Sequence, residues 1–99
     1  MQTYISLLTF TQQGAENVRQ QGARIDDIKK AYRAAGGELI GYYPTMGQYD
    51  GVAVYRMPDD TAAAQLVLAI MSKGNVRSET LRAFDEEEYR KIIEGLPPK

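Results

Sequence analysis

Cysteine and histidine are both absent from this chain of 99 residues. The first absence excludes disulfides and thiolate nucleophiles, the second removes the base of a serine–histidine triad, and the two together remove ordinary zinc sites. No stretch approaches the ~18 consecutive apolar residues of a membrane span, and Met1-Gln2-Thr3-Tyr4-Ile5 lacks the basic start and long apolar segment of a signal peptide. A soluble cytoplasmic protein without membrane association is therefore expected. Charge of one sign is also missing: Lys plus Arg number 12 against 13 Asp plus Glu, so no strong field draws the chain towards nucleic acid. There are no internal repeats, low-complexity tracts or linkers. What is present is a 43% hydrophobic composition, enough for one domain spanning residues 1–99 and burying roughly two-thirds of its unfolded surface.

Period-2 and period-3.6 patterns alternate along the chain. Thr3 to Phe10 reads as a strand with Ile5 and Leu7 on one face and Tyr4, Leu8 and Phe10 on the other. Thr11 caps a short helical turn reaching about Val18, weakened by Gly14 and separated by Gly22 from the next segment, which predicts a broken helix. From Ala23 the spacing of Ile25, Ile28, Tyr32 and Ala35 forms a helical stripe with Arg24 and other charges turned to solvent, ended by Gly36-Gly37. Glu38 to Thr45 is a second strand whose Pro44 argues for an edge, and Val52 to Met57 is a third. Pro58-Asp59-Asp60-Thr61 opens a helix with the stripe Ala63, Leu66, Val67 and Ile70, closed by Gly74. Asn75 to Ala83 alternates as a fourth strand, with Arg77, Glu79 and Leu81 opposite Val76, Ser78, Thr80 and Arg82. Neither set is a conventional core face. Asp85 with Glu88 forms a capping-box pattern for a last helix whose stripe is Tyr89, Ile92, Ile93 and Leu96.

The order β-α-β-β-α-β with a terminal helix is that of an α+β, ferredoxin-like sandwich: a four-stranded antiparallel sheet with both crossover helices on one face. The second face is left bare although strand one is apolar on both sides. A second sheet is therefore predicted to cover it, making the protein at least a homodimer.

The hexapeptide Thr45-Met46-Gly47-Gln48-Tyr49-Asp50 joins strands two and three as a hairpin. Met46-Gly47 and Asp50-Gly51 both suit its turn, the second being the stronger generic hairpin dipeptide. Met46-Gly47-Gln48-Tyr49-Asp50, the run Gly74 to Phe84 (Gly-Asn-Val-Arg-Ser-Glu-Thr-Leu-Arg-Ala-Phe) and the opening Thr3-Tyr4-Ile5-Ser6-Leu7-Leu8 together resemble the GYD domain family over nearly the whole chain. That family is widespread in bacteria and archaea and has no established biochemical activity. It is grouped with the dimeric α+β barrels, which include cofactor-independent monooxygenases and ligand-sensing domains. The resemblance implies a homodimer or higher homo-oligomer, no cofactor, and Gly47, Tyr49 and Asp50 as the defining motif. It places the turn at Met46-Gly47 and strand three at Gln48 to Met57. Gln48 stands where the family commonly has glutamate, and Gly51 where a branched apolar residue is usual.

Five residues are candidates for ligand binding: Tyr49, Asp50, Arg77, Glu79 and Tyr43. Asp50 beside Tyr49 can form an acid–base pair if the face is water-poor, or can fix the hairpin by hydrogen bonds to backbone. Arg77 and Glu79, two apart on a strand, point the same way and suit a carboxylate-bearing ligand or each other. Tyr42, Tyr43 and Tyr55 can line a barrel cavity or simply pack. The acidic runs Asp85 to Glu88 and Asp59-Asp60 are explained by helix capping, so no metal site is assigned. The leading expectation is a module that binds a small molecule or a protein in the cavity between two sheets. The alternatives are a cofactor-independent enzyme of the monooxygenase or isomerase kind, on fold analogy alone, and a structural subunit of a larger homo-oligomer.

Overall fold

A computed structural model describes residues 1–20 and 25–99; the expected separator Gly22 and the expected helix start at Ala23 and Arg24 lie outside the described residues. Strand β1 (Gln2–Phe10) is followed by a short helix α1 (Gln12–Glu16) and a 3-10 turn at Val18–Gln20, the broken helix that the glycines predict. Helix α2 (Ile25–Ala34), strands β2 (Glu38–Pro44) and β3 (Gly51–Met57), helix α3 (Asp60–Ser72), strand β4 (Val76–Ala83) and helix α4 (Glu86–Glu94) complete the order. The four strands form one antiparallel sheet in the order β2-β3-β1-β4. β2 is an edge strand, where the missing N–H of Pro44 removes no ladder bond.

Register decides which residues share a face. Tyr4 pairs with Tyr55 and with Arg82, Ser6 with Ala53 and with Thr80, and Leu8 with Gly51 and with Ser78. Because successive residues alternate, these rows lie on the face that carries the helices. Ile5 pairs with Val54 and with Leu81, and Leu7 with Val52 and with Glu79, so these rows lie on the opposite face, which no described element covers.

The core is small. Tyr4, Tyr32, Ala53, Tyr55, Met57, Ala63 and Leu66 are buried, and Ile28, Leu39, Tyr42, Val67 and Ile70 pack against them half-buried. The Tyr32 ring meets Tyr55 edge-on at 5.0 Å, and Tyr4 stacks on Tyr55 at 5.8 Å, geometries in which the ring quadrupoles attract. Gly14, expected only to weaken α1, is required there: a Cβ would run into the backbone carbonyl oxygen of Asn75. The Thr11 amide donates to that same oxygen at 3.1 Å, tying α1 to the start of β4.

The hairpin turn lies at Gly47, whose φ of +103° is costly for any residue with a Cβ. Gly51 sits inside β3, opposite both Leu8 and Pro44, so Asp50-Gly51 is not the turn. Strand three starts at Gly51 and not at Gln48, because residues 45–50 close on themselves: the Thr45 amide donates to the Asp50 carbonyl at 3.0 Å, and the Thr45 hydroxyl to the Tyr49 carbonyl at 2.6 Å.

Helix α4 has the complete capping box of Asp85 and Glu88 but buries none of its residues. Its expected stripe is open to solvent, with Tyr89 59%, Ile92 41%, Ile93 47% and Leu96 59% exposed. It is tethered by the Arg82–Glu88 ion pair at 2.7 Å, and the Arg82 guanidinium also lies 4.6 Å from the centre of the Phe84 ring.

Candidate functional site

The expected site residues gather at the end of the sheet where the hairpin meets β1, but they divide into separate roles. Asp50 is bound twice to β1: its amide donates to the Leu8 carbonyl at 2.8 Å, and its carboxylate Oδ2 accepts from the Phe10 amide at 2.8 Å. β3 begins only at Gly51, opposite Leu8, so the Phe10 amide at the end of β1 has no ladder partner on that side. The Asp50 side chain supplies one. Tyr49 turns away from its neighbour, and its hydroxyl donates to Glu79 Oε2 at 2.9 Å, crossing from the hairpin to β4. That bond to a carboxylate favours the neutral phenol and raises the Tyr49 pKa. Tyr49 and Asp50 therefore do not address each other.

Arg77 and Glu79 share the open face, opposite Thr9 and Leu7 respectively. Tyr43, opposite Val52, is on the same face and 59% exposed. Tyr42 and Tyr55 lie on the helix-bearing face, so the three tyrosines do not line one cavity. Among the described residues, no group of three or more acidic side chains is placed to hold a metal ion.

A different site lies between the helices and the sheet. α2 and α3 leave a cavity of about 360 Å³, floored by Ser6 and Leu8 of β1 and Val76 and Ser78 of β4. Its walls include Ile28, Ala31 and Tyr32 of α2, Val67 and Ile70 of α3, and Tyr42 of β2, with Asp27, Lys73 and Asn75 also lining it. A chain of hydroxyls crosses the floor: Tyr55 to Ser6 at 2.7 Å, Ser6 to Thr80 at 3.1 Å, and Thr80 to Ser78 at 2.9 Å. Sequence reasoning placed the cavity between two sheets and so missed this one. The available signal was Ser6, Ser78 and Thr80, polar residues on the face of β1 and β4 that the helices cover.

The architecture defines an α+β domain of the ferredoxin-like class, with helices on one sheet face and the other face open. The chain belongs to the GYD domain family, whose model matches residues 4–93. It is 33% identical over 85 residues to a Thermus thermophilus protein named glutamine synthetase and cystathionine beta-lyase binding protein, the match covering 85% of this chain and 90% of that one. A crystal structure of a protein from Thermus thermophilus shares the fold with a TM-score of 0.55 and 28% identity, covering 86% of this chain and 95% of the other.

Proposed function

We propose that this protein is a non-catalytic protein-binding domain that works as a homodimer, two copies joined through their open sheet faces. The observation that carries this reading is apolar surface that no described element covers: half-buried Ile5, Leu7, Val52 and Val54 and exposed Leu81 on the sheet, continued through Phe84 into the stripe of α4. The charges on the same face, Glu38, Arg56, Arg77 and Glu79, are two of each sign. Among the described residues none of the four is in an ion pair. A face balanced in this way carries no net charge to oppose its pairing with a copy of itself, and a two-fold interface joins the same patch on both copies. At 4.8 Å between strands the sheet face offers on the order of 500 Å² per copy. Two such faces fall short of the roughly 1,200–2,000 Å² of a specific interface, so α4 is expected to contribute by lying against the second copy.

Light scattering at micromolar concentration tests the assembly. The expected mass is twice the 11.1 kDa of the chain, and Leu81→Asp, at a position 49% exposed in the single chain, is expected to give a folded monomer. A wild-type monomer would refute the pairing.

The named relative supports the binding role, and the same two enzymes are the first partners to try. Titration of the purified chain against glutamine synthetase and against cystathionine beta-lyase by biolayer interferometry is expected to give saturable binding to at least one. Failure with both removes this choice of partner and leaves the dimer to be judged by its own test.

A further inference from the structure

We infer that the cavity between α2, α3 and the sheet is a binding site for a small zwitterion with an apolar stem and a hydrogen-bonding tip, the chemistry of a free amino acid with a polar-ended side chain. This goes beyond the protein-binding reading and does not depend on it. Tyr32 carries the inference. It is only 4% exposed and lines the cavity, yet its hydroxyl has no hydrogen-bond partner among the described residues. No fully enclosed side-chain oxygen is unsatisfied among them, so the Tyr32 hydroxyl keeps accessible surface, on a residue that lines the cavity. Burial raises its pKa, as it does for Tyr42, another lining tyrosine without a hydroxyl partner among the described residues. Both phenols stay protonated and can donate to an acceptor.

The four-hydroxyl chain points to the same chemistry. Three bonds use three of its four protons, and when each hydroxyl donates in the direction of Ser78 the fourth proton is left on Ser78. Ser78 is the end that lines the cavity. Ile28, Ala31, Val67 and Ile70 supply the apolar walls for a stem. Asp27 and Lys73, one at the start of α2 and one just past α3, line the same cavity without pairing to each other or to another described residue. Each charge also suits the helix end it occupies, so the charges alone would not mark a site; with the unpartnered phenol inside, they match an ammonium and a carboxylate. The volume is at the small end of the range for ligand cavities, roughly 300–1,000 Å³, and suits a molecule of amino-acid size.

Amide chemical-shift titration of the full chain tests this with L-glutamine and L-tyrosine as probes, alongside their N-acetyl and carboxamide derivatives. Saturable shifts confined to Tyr32, Tyr42, Val67, Ile70 and Ser78 are expected for at least one free amino acid. Loss of either ligand charge is expected to weaken binding about fivefold or more, the scale of a charge-assisted hydrogen bond. Asp27→Asn should erase the penalty of N-acetylation, and Lys73→Gln that of the carboxamide. Tyr32→Phe should weaken binding without lowering the thermal midpoint of the free protein, because the hydroxyl it removes has no partner to lose. The inference is overturned by an absence of saturable shifts up to ~10 mM, beyond the millimolar range of weak affinities. It is equally overturned by equal affinity for charged and blocked ligands, or by a Tyr32→Phe protein that melts earlier and binds unchanged.

Discussion

The Asp50 carboxylate and amide both engage β1, at Phe10 and Leu8, so this residue holds the hairpin against a strand forty positions away. Asp50→Ala leaves the Phe10 amide short of its acceptor. A loss of about 1 kcal/mol is expected, since the donor is only part-buried and water can take up some of the lost bond, and Asp50→Asn should recover most of it because an amide oxygen still accepts. Urea unfolding of the two variants checks this, and an unchanged midpoint for Asp50→Ala would reject the capping role. Tyr49 works differently, since its bond to Glu79 is at the surface and contributes little to stability. Of the sequence candidates, Tyr49 with Glu79 is the pair that the structure brings into contact. That pairing depends on the β1–β4 register, which no local pattern encodes. Tyr32 was legible as a buried stripe position, but that its hydroxyl would lack a partner was not.

At the level of elements, α4 separates local from tertiary stability. Its capping box is complete: the Glu88 amide donates to Asp85 Oδ1 at 2.8 Å, and Glu88 Oε1 accepts from the Asp85 amide at 3.3 Å. The surface pairs Glu86–Arg90 and Glu87–Lys91, at 3.8 and 4.0 Å, add little because both partners are solvated. With nothing buried, a nine-residue helix is marginal by itself, so capping decides its population. Asp85→Ala is expected to cost about 1 kcal/mol locally. Hydrogen exchange should show faster amide exchange across Glu86–Glu94 while the β1 and β3 amides keep their protection. Loss of protection in the sheet as well would mean that α4 is coupled to the core more tightly than its exposure indicates. Glu88 reinforces the tether: its bond with Arg82, followed by that with the Asp85 amide, holds its pKa below the usual carboxylate value.

For the whole molecule, the tyrosine core sets the response to alkali. Burial, followed by the 2.5 Å hydrogen bond to Asp60, raises the Tyr4 pKa from 10.0 to about 12. Burial moves Tyr32 in the same direction. Between those values the unfolded chain releases protons that the folded chain retains, so stability falls as pH rises. The contribution is complete below pH 10 and lost through about pH 12, a window set by the Tyr4 values. Thermal midpoints measured across this range should drop, with phenolate absorbance appearing at the unfolding transition and not before it. A flat midpoint through the window would show that the ionisation of these rings is not linked to folding. The proposed dimer belongs to this scale too, since a second copy would cover the open sheet face and the apolar side of α4 together.

The sequence by itself determined the order of elements, the caps at Thr11 and Asp85 and an aspartate cap within Asp59-Asp60, the glycine stops and the two faces of β1 and β4. All of these depend on neighbours within about four residues or on a strict two-residue alternation. The resemblance to the GYD domain family also pointed correctly to the turn at Met46-Gly47. Tertiary structure alone decided that Asp50 would cap β1, that Tyr49 would reach Glu79, that α4 would bury nothing, and that the space under α2 and α3 would stay open. The physical reason is that these outcomes turn on strand register and on how closely two helices settle onto a sheet. Both are set by packing between segments tens of residues apart, where the chain carries no local signal.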